Sequence, residues 1–106
     1  MGVVSADLHL PQGTSLKDKR RELRRLKQRL AQRHGAAVAE VDHHDLWQRA
    51  RVTAAVVGPD ARDVGERVEA MARDLGGDPA FVLLEEAREV RPVEARPTFL
   101  DVRGRG

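Results

Sequence analysis

A chain of 106 residues with 41% hydrophobic residues, 34% charged residues and no cysteine fits one modest core and is too short for two. The missing cysteine excludes disulfides, thiolate nucleophiles and thiolate metal sites, and agrees with a reducing cytoplasm. The formal net charge of +2 hides a polarised layout: Lys17 to Arg33 holds nine Lys/Arg against Asp18 and Glu22, a local +7 that leaves −5 for the remainder.

The chain starts in an alternating segment rather than a charged lead and an apolar block, so no signal peptide is expected. No apolar run approaches the roughly 18 residues that suggest a membrane span. Asn, Ile and Tyr are absent and Arg outnumbers Lys sixteen to three, a bias that GC-rich codons and heat adaptation both favour.

Val4, Ala6, Leu8 and Leu10 alternate with Val3, Ser5, Asp7 and His9, which predicts a strand with its even-numbered side chains on a core. Thr14 or Ser15 can then cap a helix, with Asp18 at the spacing that satisfies free amides. Leu16, Leu23, Leu26 and Leu30 share one stripe, and Gly35 is placed to end the helix in a left-handed conformation. The other faces carry Lys17, Arg20, Arg21, Arg24, Arg25, Lys27, Arg29 and Arg33. Few acids are interspersed among them, so an anion-binding surface stands beside the plainer reading of a solvated helix face.

Ala37, Ala39 and Val41 alternate with Val38, Glu40 and Asp42, and Ala50, Val52, Ala54 and Val56 alternate with Arg49, Arg51, Thr53, Ala55 and Val57. These read as two strands of a hairpin, with Glu40 and Asp42 facing Arg49 and Arg51 on the side away from the core. Asp60 caps a second helix with Ala61, Val64, Val68, Met71, Ala72 and Leu75 buried. Its acid-before-base pairs are Asp63 with Arg67 and Glu69 with Arg73. Ala80 to Val90 reads as the last strand, with either Phe81 and Leu83 or Val82 and Leu84 inward. The segment from Arg91, containing Pro92 and Pro97, is expected to be a flexible tail beyond a domain of residues 1–90, with Phe99-Leu100 as a possible docking point.

Strand, helix, strand, strand, helix, strand predicts an α+β, ferredoxin-like βαββαβ domain: a four-stranded antiparallel sheet with two helices on one face and the other face open.

The connection Asp42-His43-His44-Asp45-Leu46-Trp47 invites chemistry. His9, His43, His44 and Asp45 are the metal-capable set, but adjacent strand residues diverge, and Asp42 or Asp45 capping a tight turn is the favoured role. Trp47 is expected to cover one end of the core with Leu46 beside it. Glu85 and Glu86 diverge as neighbours on a strand, and no nucleophile elbow or phosphate loop is present. No enzyme, metal or cofactor is expected.

Leu8-His9-Leu10-Pro11, Ser15-Leu16-Lys17-Asp18-Lys19-Arg20 and the string Asp45-Leu46-Trp47-Gln48-x-Ala50 together resemble the YlxP-like family, domain of unknown function 503, over about residues 3 to 90. The resemblance implies a ferredoxin-like fold. It also implies a ribosome-associated role, because such genes often neighbour those of translation initiation and ribosome maturation factors; it supplies no catalytic residue. The leading expectation is a cytoplasmic accessory protein binding structured RNA or the ribosome through Lys17, Arg20, Arg21, Arg24, Arg25 and Arg29. Arg49, Arg51 and His9 would extend contact onto the sheet. The alternative is a protein-interaction or homodimerising module using Val3, Val38, Ala55 and Val57 on the open sheet face.

Overall fold

The structure is a computed structural model and describes residues 1–92; the expected tail, with Phe99-Leu100, lies outside the described residues apart from Arg91 and Pro92. The elements run β1 (Gly2–His9), α1 (Leu16–His34), β2 (Ala37–Asp42), β3 (Arg49–Val56), α2 (Ala61–Gly76) and β4 (Val82–Val90). All pairings are antiparallel and the sheet order is β2-β3-β1-β4, so the chain has the ferredoxin-like arrangement.

The alternation in β1 and β3 is realised as read: Val4, Ala6 and Leu8 pair with Ala54, Val52 and Ala50 and all are buried under the helices. Leu23, Leu26 and Leu30 of α1 meet Val64, Val68, Met71, Ala72 and Leu75 of α2 in that core. Ala61, expected inside, is exposed at the first turn of α2. Ser15 caps α1 by accepting the Asp18 amide at 3.1 Å, and Gly35 ends it at φ 66°, where a Cβ would be strained. Asp60 caps α2 in the same manner. Of the two acid–base pairs expected on α2, Asp63 reaches Arg67, whereas Glu69 pairs with Arg88 of β4.

The faces of β2 are opposite to the expectation. Val38 pairs with Ala54 and Glu40 with Val52, both core positions, so Val38 and Glu40 lie on the helix side while Ala37 and Ala39 lie on the open side. The register then shifts between Glu40 and Asp42, leaving Val41 unpaired and setting Asp42 opposite Arg51. Such a bulge returns the strand to the other face within one residue. A second shift, between β1 and β4 at Asp7/Leu8, pairs Leu8 with Leu83. Phe81 is thereby buried and Leu83 packs on the core, while Val82 and Leu84 stay exposed.

Candidate nucleic-acid interface

One side chain organises the site, and the sequence reading passed over it. Lys19 is 1% exposed. It falls three residues after Leu16 and four before Leu23, within the apolar stripe, and that spacing was the available signal. Its ammonium meets Glu40 Oε2 at 2.8 Å and donates to the carbonyls of His43 at 2.8 Å, His44 at 3.2 Å and Arg49 at 3.3 Å. A buried cation is tolerable only when paired and hydrogen-bonded. Here its acceptors are the backbone of the β2–β3 connection, so α1 holds that connection in place.

The rest of the connection is equally tied. Asp42 Oδ1 accepts the His43 amide at 2.7 Å, so of the two expected capping candidates, Asp42 and Asp45, it is Asp42 that bonds this backbone. His43 takes a left-handed φ of 64°, and the Leu46 amide returns to the His43 carbonyl at 3.1 Å. Gln48 accepts from the Leu10 amide at 2.8 Å and its side chain reaches the Gly13 carbonyl at 3.3 Å. A Cβ on Gly13 would come within 2.9 Å of the Trp47 carbonyl, so this backbone lies against the entry to α1.

Trp47 does not close the core. It is 51% exposed and Leu46 is 50% exposed, and the buried place beside Glu40 belongs to Lys19. Trp47 instead lines an open recess of about 370 Å³ with Asp45, Leu46, Gln48 and Arg49.

The basic residues of α1 divide into two flanks. On the flank toward α2, Arg25 makes a two-pronged bond to Asp78 at 2.7 and 3.0 Å and another to Glu22. The hydrogen bonds to Asp78 come first in raising the guanidinium above its usual pKa. Arg29 and Arg33 approach Asp74, and Arg21 lies by Asp18 and Glu22. Asp74 of α2 and Asp78 of the turn after it thus add to the two acids of α1, Asp18 and Glu22. Arg25, expected on the anion-binding surface, is held within the fold by Asp78 and Glu22; Arg29, also expected there, lies 4.0 Å from an Asp74 that Arg33 and His34 approach more closely, and Arg21 is loosely paired.

On the flank toward β2, Lys17, Arg20, Arg24 and Lys27 form no ion pair among the described residues. Their steps of three, four and three place them on one stripe about 15 Å long at 1.5 Å per residue. Lys17, Arg20, Arg21 and Arg24 line one shallow groove, and Arg20, Arg24 and Lys27 line the next. Lys27 was not in the expected contact set.

The sheet extension is also altered. Arg49 and Arg51 turn to Asp7, at 3.2 and 3.8 Å, rather than to Glu40. His43 Nε2 comes within 3.3 Å of Asp7 Oδ1 without hydrogen-bond geometry, leaving that oxygen and Arg49 Nε buried and unbonded. His9 Nδ1 is 3.1 Å from the Gln48 carbonyl. Val38 has left the open face and Ala37 and Ala39 have taken its place there, beside Val3, Ala55 and Val57. Among the described residues no group of three or more His, Asp or Glu side chains is arranged to hold a metal ion, and no helix is long and apolar enough to cross a membrane.

The family model for DUF503, a protein of unknown function, matches residues 1–88. The chain belongs to the DUF503 family. No curated protein matches it at a significant level. In this DUF503 chain, the motif Ser15-Leu16-Lys17-Asp18-Lys19-Arg20 therefore combines a helix cap, the buried clamp Lys19 and two members of the free stripe.

Proposed function

We propose that this chain is a non-enzymatic accessory protein that binds structured RNA, such as that of the ribosome, through Lys17, Arg20, Arg24 and Lys27. The observation that carries the reading is the division of α1: cations on one flank approach Asp74, Asp78 and Glu22, while on the other flank four, on a single stripe, form no ion pair among the described residues. A merely solvated helix has no need to sort its charges by flank. An unmatched row of cations at helical spacing suits phosphates, which it contacts without reading sequence.

The test is binding of a labelled RNA hairpin across a salt series. About four contacts predict a slope of log K against log[salt] near −3. The triple variant Lys17→Glu, Arg20→Glu, Arg24→Glu should abolish binding at moderate salt, whereas Arg62→Glu on α2 should not. Absence of binding at low salt, or an unchanged affinity in the triple variant, defeats the proposal.

A further inference from the structure

Trp47 is the single tryptophan of the chain and stands half exposed on a connection whose backbone is fixed. The clamps are Lys19 to the carbonyls of His43, His44 and Arg49, Leu10 to Gln48 and Gln48 to Gly13. A mobile loop carrying an aromatic residue loses entropy whenever it is used; a clamped one has lost it already on folding. The exposed ring therefore sits on a preorganised support.

Its position is specific. The Trp47 carbonyl packs at Gly13, two residues before the Ser15 cap, and the clamp Lys19 lies between Lys17 and Arg20 in sequence. The connection thus adjoins the end of α1 where the free stripe begins. Arg49, in the same recess as Trp47, is paired with Asp7, and Asp45 lines the recess too, so the cations available beside the ring are those of the α1 stripe. Phosphate-binding cations beside an exposed indole are the two parts that proteins use on unpaired nucleotides: charge follows the backbone while a ring stacks on a base. A continuous duplex can satisfy the stripe but offers no free base face to Trp47.

We infer that the connection 43–48 is a base-stacking platform, and that the RNA recognised contains an unpaired nucleotide beside the segment whose phosphates lie on Lys17, Arg20, Arg24 and Lys27. The inference rests on the proposed RNA-binding reading and adds the class of RNA to it.

The full chain is titrated with an RNA hairpin bearing an unpaired apical loop and, separately, with the same stem as a blunt duplex. Trp47 emission and the anisotropy of the labelled RNA are both followed. The looped RNA should quench Trp47 and bind more tightly. Trp47→Ala should weaken the looped RNA roughly tenfold, Trp47→Phe should retain most of that affinity, and neither should alter binding of the duplex. Equal affinity for the two RNAs, or a Trp47→Ala effect that is absent or the same for both, overturns the platform and leaves the stripe standing. A blue shift of Trp47 emission on raising protein concentration without RNA overturns it in favour of a second copy covering the ring. Failure of the parent chain to bind either RNA overturns the stripe and the platform together.

Discussion

Lys19 and Glu40 meet at 2.8 Å beneath the edge of the sheet, a pairing that turns β2 over and fixes the connection beyond it. Removing the cation leaves Glu40, 14% exposed along its side chain, and three inward carbonyls without their donor. Breaking one side of a buried pair typically costs about 3 to 5 kcal/mol, so Lys19→Met should destabilise by about 3 kcal/mol in urea unfolding. Glu40→Gln should cost somewhat less, about 2 kcal/mol, because it strips the counter-charge from a buried ammonium but leaves that ammonium its backbone acceptors and an amide oxygen. Equal effects would show that the carboxylate rather than the connection is the main partner of Lys19.

The Lys19–Glu40 pair also marks where the sequence stopped being legible. In β1, β3 and both helices, periodicity alone named the buried face, because each has a long apolar row facing a core. In β2 the rows compete: Ala37, Ala39 and Val41 look like the inner set, and Glu40 looks like an outer residue. The tertiary pairing with Lys19 overrides that pattern, and the bulge at Val41 hides the change of face. The same applies to the site. The basic run of α1 was visible, but which of its members are free depends on Asp74 and Asp78, more than forty positions away in sequence. Trp47 was misplaced because a large apolar ring is usually well buried, and nothing local showed that the buried place beside this connection goes to Lys19.

Arg25 is bound within the fold, and the proposed RNA-binding stripe leaves it out. Asp78 is 5% exposed. It accepts both prongs of Arg25 and the amide of Ala80 at 2.9 Å, which ties the turn before β4 to α1. Asp78→Ala should destabilise by about 2 to 4 kcal/mol, as expected for losing charge-assisted bonds to a buried carboxylate. Arg25→Gln should lower stability while leaving RNA affinity within twofold of the parent once measured below its melting range. A larger loss of affinity would return Arg25 to the binding surface.

The start of α1 should respond to acid. The Thr14 hydroxyl and amide both donate to the Asp18 carboxylate, and the hydroxyl bond is the first cause holding its pKa below the ordinary 3.8. A carboxyl depressed in the folded chain contributes stability above its unfolded pKa and loses it as pH falls through the lower folded value. Asp18→Asn should therefore narrow the stability gap between pH 6 and pH 2.5 relative to the parent, with the difference arising below about pH 4. Chemical denaturation at stepped pH measures it; parallel profiles for parent and variant would show that Thr14 does not favour the charged form.

The exposed position of Trp47 makes a prediction opposite to that for a core indole. Deleting a fully buried tryptophan costs about 3 to 5 kcal/mol through lost transfer energy and a cavity. Half of this ring already faces water, and its removal opens a surface recess rather than an internal void. Trp47→Ala should therefore shift stability by less than about 1 kcal/mol, the scale of surface substitutions that leave no buried group unpaired. Parent emission should be red-shifted and readily quenched by acrylamide. Gly13→Ala offers the complementary test: its Cβ would press on the Trp47 carbonyl at 2.9 Å and on the Leu10 side chain at 2.7 Å, so it should move the platform without removing the ring. A large loss of stability in Trp47→Ala, together with blue-shifted and protected parent emission, would place the indole in the core and remove the surface on which a base could stack.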